Sequence, residues 1–291
     1  MNYKGYYINL DQSLGRRAEI EGELAQRGLL SKYDRFAAIE GNGLGFPKAR
    51  GLNKGEVGCL SSHYALLNEN RNSLRPFHIV EDDAIFSRYT EKAIDWVIAQ
   101  GVFEEYDILY TDISLPILND VFSTCRNLFE QTAKTRNDGS LERVSFRIFD
   151  LKTILFSSTS SYVVRASSAG KIADLLGEEL SRGAIYPVDL CLRRLCLQGD
   201  LKICCLMPFA TSVRLEHSLD SSIKEDPSSK LSAMAMDIAR QSFFVDCDWS
   251  KCTTFADTYL PAPEAPSPLT QMLGRLLNFS VAYGEDGRAT A

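Results

Sequence analysis

The sequence predicts an α/β fold with a mainly parallel central sheet and helices on both faces. Short apolar, β-rich runs alternate along the chain with segments whose apolar positions recur at helical spacing. That alternation is the pattern of parallel strands joined through helices. Asn9, Glu81 to Asp83 and Asp112 fall at the carboxyl ends of the runs, where sheets of this kind bind ligands. At 291 residues there is ample apolar material for one large domain or two ordinary ones.

Tyr6 to Leu10 forms the first strand, Asp11-Gln12-Ser13 a loop, and residues 14–30 the first helix. Tyr33 to Ala38 is the second strand, and a Gly- and Pro-rich loop runs from Gly41 to Lys54. The segment from Gly55 leads into a helix ending near Asn70. Phe77 to Val80 is the third strand, residues 89–100 an amphipathic helix, and Tyr106 to Thr111 a further strand. Residues 113–150 are less regular, and the polar tract 131–140 reads as an exposed excursion. The αβ pattern returns with Ser161 to Val164 and a helix from Ala166 to Leu176, then a helix from Leu190 to Leu197 and an apolar run from Ile203 to Phe209.

From Ser221 the pattern loosens into an Asp-Pro-Ser-Ser turn, a helix near residues 229–240 and a Pro-rich connector over 261–268. In the tail, Leu269, Met272, Leu273, Leu276 and Leu277 make one helical stripe. Packing on the core is its default role and a peripheral membrane contact the alternative, with Arg275 its lone basic residue. There is no internal repeat. The organisation reads as a main domain over 1–223 and a helical or irregular extension over 224–291.

The formal net charge of −6 and pI near 5.3 argue against nucleic acid as a partner, since phosphate backbones select clustered Lys and Arg. The N-terminal segment has no apolar run behind a basic start, and nowhere do about 18 apolar residues follow one another. The expectation is a soluble, cytoplasmic protein. The eight cysteines are scattered and form no CxxC pair, so they read as ordinary buried thiols.

Glu81-Asp82-Asp83 directly follows the apolar run Phe77-His78-Ile79-Val80. Strand alternation puts Glu81 and Asp83 on one side and Asp82 on the other. Two same-side carboxylates at a ligand-binding edge call for a cation, and hard oxygen ligands suit magnesium or manganese. In Lys54-Gly55-Glu56-Val57-Gly58 the glycines permit close backbone approach, and the next helix's N-terminus offers amide donors to an anion. An apolar strand ending in paired acids also opens phosphorelay receivers, whose phosphoacceptor strand Tyr106 to Pro116 resembles. Asp82 and Asp112 enclose too little chain for that arrangement, and no later Lys-Pro follows a strand.

Four ordered segments carry a resemblance. They are Tyr7-Ile8-Asn9-Leu10-Asp11 with Arg16-Arg17, Phe36-Ala37-Ala38 with Gly41, Leu52 to His63, and Ile79-Val80-Glu81-Asp82-Asp83-Ala84. Weaker continuations are Ser160 to Arg165, Tyr186-Pro187-Val188-Asp189 and Ser221-Ser222-Ile223. The set resembles glycosyltransferase family 25, the bacterial lipopolysaccharide and lipooligosaccharide glycosyltransferases, related to collagen galactosyltransferases.

The resemblance implies a GT-A-like Rossmann-type sandwich and a nucleotide-sugar donor, a UDP-hexose and galactose first. It implies transfer to a lipopolysaccharide or other surface glycan, with inversion, at the inner face of the cell membrane. Mn2+ or Mg2+ would be held by Glu81 and Asp83, with His217 completing the site. Asn9, Leu10, Arg16, Arg17 and Ala38 sit where the family holds the nucleotide; Lys54, Gly55, Ser62 and Asp82 are the further donor contacts. Asp189 is the expected base, with helix capping its bland alternative, and Asp112 is held in reserve. His63 reads equally as packing or donor contact. The alternative functions are a receiver-like module phosphorylated at Asp112 and a fold that binds nucleotide-sugar without turnover. The sequence sets no oligomeric state.

Overall fold

The computed structural model describes residues 2–41, 51–115, 119–135, 141–218 and 227–259. The first half runs β1 (Lys4–Asn9), α1 (Leu14–Gln26), β2 (Tyr33–Ala37), α2 (Lys54–Glu69), β3 (Phe77–Glu81), β4 (Ala84–Phe86), α3 (Thr90–Ala99), α4 (Val102–Glu105) and β5 (Ile108–Tyr110). It continues through α5 (Asn119–Thr132), β6 (Ala133–Thr135), β7 (Leu141–Val144), β8 (Arg147–Asp150), β9 (Ser161–Val164), α6 (Ala169–Ser181) and α7 (Val188–Gln198). The last elements are β10 (Ile203–Met207), β11 (Thr211–Val213), α8 (Pro227–Gln241) and α9 (Trp249–Tyr259).

Seven strands make one sheet in the order β2-β1-β3-β9-β5-β10-β8. β1, β2, β3, β5 and β10 share one direction, while β9 and β8 run against them. The sheet is therefore mainly parallel, as the alternation implied. β4 and β11 pair in a short ribbon beside it, and β6 with β7 in another.

Alternation along each strand builds two cores. Ile8, Phe77, Ile79, Ile108, Tyr110, Tyr162, Val164, Ile203 and Cys205 face one side, against Leu60 and Leu67 of α2, Ile172 and Leu176 of α6, and Leu192 of α7. Tyr7, Val80, Leu109, Val163, Cys204 and Leu206 face the other, against Ile20 and Leu24 of α1 and Ile94 and Val97 of α3. This is an α/β sandwich, with helices on both faces of one sheet. A third, smaller core joins Leu215, Met234 and Ile238 to Cys252 and Phe255, so α8 and α9 pack together behind β11.

Two regions differ from expectation. The irregular stretch 113–150 contains α5 and a hairpin of β6 and β7, so residues 131–135 of the polar tract end a helix and enter a strand. The loosened C-terminal region holds α9 as well as the expected α8. Most of the Gly-rich loop 42–50, residues 136–140, the Ser221 to Ile223 segment, the Pro-rich connector and the tail lie outside the described residues. Among those described, no helix is long and apolar enough to cross a membrane.

Candidate active site

Register decides where the site lies. Ile8 of β1 stands opposite Phe36 of β2 and Glu81 of β3, so three parallel strands finish at one level. β9 runs the other way, with Ser161 beside Val80, which feeds the preceding loop in at the same edge. Glu81 N–H donates to Ser160 O at 2.8 Å and secures that loop. A cavity of about 350 Å³ opens there, lined by Glu81, Asp83, the Ser157 to Ser160 loop and Asp189. Arg16, Arg214 and His217 form another part of its wall, and α8 contributes Asp237 and Arg240.

The acidic triplet splits as strand geometry requires. Asp82 turns from the cavity and accepts from Asn9 Nδ2 at 2.8 Å and Arg16 Nη1 at 3.1 Å. Asn9 is itself fixed by Arg35, whose Nε donates to its Oδ1 at 3.1 Å. Glu81 and Asp83 line the cavity. Glu81 Oε1 accepts from Thr159 Oγ1 at 2.9 Å and faces His63 Nε2 at 3.4 Å. Burial opposes its charge, but the hydrogen bonds and charge of His63, with Thr159 and Arg240, win and hold its pKa below the usual value.

Asp83 is the opposite case. Its Oδ1 is buried with no hydrogen-bond partner among the described residues. Burial first, then the charges of Glu81 and Asp82, push its pKa up to about 7. A carboxylate in that state gains more from a cation than one already paired, and Glu81 supplies a second oxygen donor beside it. The donor set therefore fits a hard divalent ion.

Asp189 occupies the first turn of α7. Its Oδ1 accepts from Leu190 N at 2.9 Å and its Oδ2 from Ser158 N at 2.9 Å, so it anchors the loop before β9 while lining the cavity. Ser158 holds φ at 79°, the left-handed region a non-glycine residue rarely occupies. That strain is set beside the expected base, a place where such conformations accumulate.

His217 Nε2 pairs with Glu19 at 2.8 Å, and its buried Nδ1 has no partner among the described residues. Burial and the neighbouring Arg16 and Arg214 lower its pKa. With two guanidiniums beside it, this wall suits an anion better than a third metal ligand.

A model of glycosyltransferase family 25, described as an LPS biosynthesis protein, matches residues 2–192. The chain belongs to glycosyltransferase family 25. No curated protein matches it. Among solved structures, galactosyltransferase LgtC with donor and acceptor sugar analogues is similar at 12% identity over 90% of this chain and 98% of its own, with a TM-score of 0.34. An active-site mutant of LgtC gives the same identity and coverage with a TM-score of 0.35. A Bacillus anthracis protein assigned as a glucose-1-phosphate thymidylyltransferase, in complex with sucrose, is similar at 13% identity over 68% of this chain. The chain spans 65% of that protein's length, with a TM-score of 0.31. At these scores the likenesses carry no argument for this family-25 chain.

Of the residues expected at the family-25 site, the structure gathers Arg16, Glu81, Asp83, Asp189 and His217 around one cavity. Asn9 and Asp82 stand behind Arg16 as its support. Other expectations are corrected. Asp112 is no reserve base, because its carboxylate is fully buried 2.6 Å from Arg240 Nη2. The same ion pair removes the phosphoacceptor reading, which needs Asp112 open to solvent.

Arg17 pairs along its own helix with Glu21 and does not line the cavity. Buried Ser62 is spent on Gly58 O at 2.7 Å and Ile39 N at 2.8 Å, a joint between α2 and the segment after β2. Gly58 serves that joint too, since a Cβ there would lie 2.7 Å from Ile39 O. Ala38 N–H bonds Asn9 O at 3.0 Å, and Leu10, Ala38, Lys54 and Gly55 are not among the cavity's walls. Asn53 and Glu56 cap α2 in a reciprocal box, and Glu56 rather than Lys54 reaches the cavity.

Sequence reasoning missed Arg240, Asp237, Arg214 and Cys59. Only Cys59 left a signal, standing one helical turn from His63. The arginines reach the cavity through tertiary packing that no local pattern encodes.

Proposed function

We propose that this family-25 glycosyltransferase moves a hexose, galactose in the first instance, from a UDP-sugar to a lipopolysaccharide or related surface-glycan acceptor, with inversion. What carries the reading is one cavity that joins Asp83, whose buried Oδ1 has no hydrogen-bond partner among the described residues, to a backbone-anchored carboxylate, Asp189, and to the guanidiniums of Arg16 and Arg214. Asp189 takes the proton from the acceptor hydroxyl as that oxygen attacks the anomeric carbon. Arg16, held by Asp82, and Arg214 bind the donor diphosphate by charge-assisted hydrogen bonds. Glu81 and Asp83 would hold Mn2+ or Mg2+, and the ion would supply Lewis-acid stabilisation for the charge on a departing phosphate. The proposed setting is the cytoplasm, at the inner membrane face if the acceptor is lipid-linked.

We also propose that the boundary near residue 223 separates the catalytic domain from an extension over 224–291. Helix α8 of that extension lends Asp237 and Arg240 to the cavity.

The test is a thermal-shift screen of UDP, GDP and CMP, each with and without manganese, followed by transfer assays with UDP-hexoses. A manganese-dependent stabilisation by UDP is expected, because a ligand binding only the native state raises the melting temperature. Binding of UDP with no transfer to any glycan acceptor would favour the turnover-free alternative. No shift with any nucleotide would sink both.

A further inference from the structure

Cys59 and His63 stand one turn apart on α2, so their side chains leave the same face of the helix. Glu81, at the end of β3, meets that face. One ligand atom from each, the Cys59 sulfur, a His63 ring nitrogen and a Glu81 carboxylate oxygen, all lie within 4.8 Å of one another. A tetrahedral ion with ligands at about 2.0–2.3 Å sets them about 3.3–3.8 Å apart, so small side-chain adjustments close the three on one ion.

Two further contacts aim these ligands. The Tyr162 hydroxyl engages His63 Nδ1 at 2.8 Å, which leaves Nε2 toward Glu81. The Thr159 hydroxyl fixes Glu81 Oε1 at 2.9 Å. Partners of this kind orient metal ligands in established sites. Cys59 and Glu81 both line the cavity, so a fourth coordination position would face its interior. Asp83 and Asp189 line it too, and their charge favours a cation there.

We propose that Cys59, His63 and Glu81 form a transition-metal site of the zinc class. A thiol, an imidazole and a carboxylate make a borderline-soft donor set, suited to zinc rather than to magnesium or manganese. As the ion binds, the Cys59 S–H bond breaks, its proton leaves to solvent, and the sulfur electron pair forms the bond to metal. The open position would take water or a substrate oxygen. The site does not depend on the manganese reading, although Glu81 belongs to both.

The experiment is a titration of chelator-treated full-length protein with Co2+, followed by absorption spectroscopy, using wild type, Cys59→Ser, His63→Gln and Asp83→Asn. Wild type is expected to take up one equivalent with a sulfur-to-cobalt charge-transfer band that Zn2+ displaces. Cys59→Ser should lose the band, His63→Gln should weaken binding by about 10–100-fold or more, and Asp83→Asn should keep the band. A wild type without the band, or a Cys59→Ser protein that retains it, overturns the proposal. Should Cys59→Ser fail to melt cooperatively, the wild-type and His63→Gln titrations still decide, because unchanged affinity in His63→Gln also overturns it. Loss of manganese-dependent UDP binding in Asp83→Asn with the cobalt band intact separates this site from the donor site.

Discussion

Asp83 and Asp112 lie just beyond the carboxyl ends of β3 and β5, Asp112 wholly buried and Asp83 half-buried with its Oδ1 out of solvent. Their fates diverge through one residue. Arg240, carried in from α8 with its side chain 2% exposed, sits 2.6 Å from Asp112, while nothing in the described residues pairs with Asp83 Oδ1. Burial raises both pKa values, but at Asp112 the guanidinium opposes it directly, whereas Asp83 has Glu81 and Asp82 adding to it. The difference shows how one edge of a sheet can hold a structural carboxylate and one kept available. Pairing with Arg240, together with the deeper burial of Asp112, separates the two.

Breaking the pair should give the largest effect. Arg240→Met leaves Asp112 as an uncompensated buried charge, a change that costs about 3–5 kcal/mol. Adding Asp112→Leu should recover much of that loss, because burying two apolar groups avoids the desolvation of both charges. Chemical denaturation of the single and double variants measures both. A single variant within about 1 kcal/mol of wild type would show that Asp112 is no more committed than Asp83.

Asp189 sharpens the contrast from the other side, being anchored by two backbone amides yet open to the cavity. Asp189→Asn keeps an oxygen for one amide and loses the ability to take a proton. The expected result is a fall of about 10²–10⁴-fold in kcat with donor KM unchanged, read from steady-state transfer kinetics. Equal losses in Asp189→Asn and in an Arg16 variant would point instead to a shared binding role.

Much of this was legible in the chain. The sandwich follows from the alternation of apolar runs with 3.6-period segments, and the split of Glu81 and Asp83 from Asp82 follows from strand periodicity alone. The reversed direction of β9 was not legible, since Ser-Tyr-Val-Val reads alike in either direction when both faces are buried. The Asp112–Arg240 pair joins residues far apart in sequence, so Asp112 kept the look of a strand-end acid. Ser62 misled for a related reason, because a hydroxyl on a helix looks the same whether it meets a ligand or Ile39 N.

Asp83 should also leave its mark in the pH dependence of stability. Its folded pKa of about 7 lies above the value near 3.9 for an unfolded Asp. Between those limits the native state holds a proton that the unfolded chain has released, so stability falls as pH rises from about 4 to about 7. Asp83→Asn should remove that part of the slope and be at least as stable as wild type at pH 8, measured by melting at pH 5 and pH 8. Manganese should flatten the same slope in wild type if the ion sits at Asp83. An unaltered slope in the variant would mean that another group carries it.

The smallest effects belong to the neighbouring arginines of α1. Arg16 reaches the cavity and Asp82, whereas Arg17 pairs with Glu21 at 2.9 Å on an exposed helix face. Pairs of that exposed kind contribute little to stability. Arg17→Ala should therefore leave the melting curve and the donor KM unchanged. Arg16→Ala removes a cation from the anion-facing wall and frees Asp82, so donor KM should rise several-fold, with added salt weakening the wild type toward the variant. Identical behaviour of the two variants would mean that the diphosphate is held elsewhere, and that Arg214 alone gives this wall its charge.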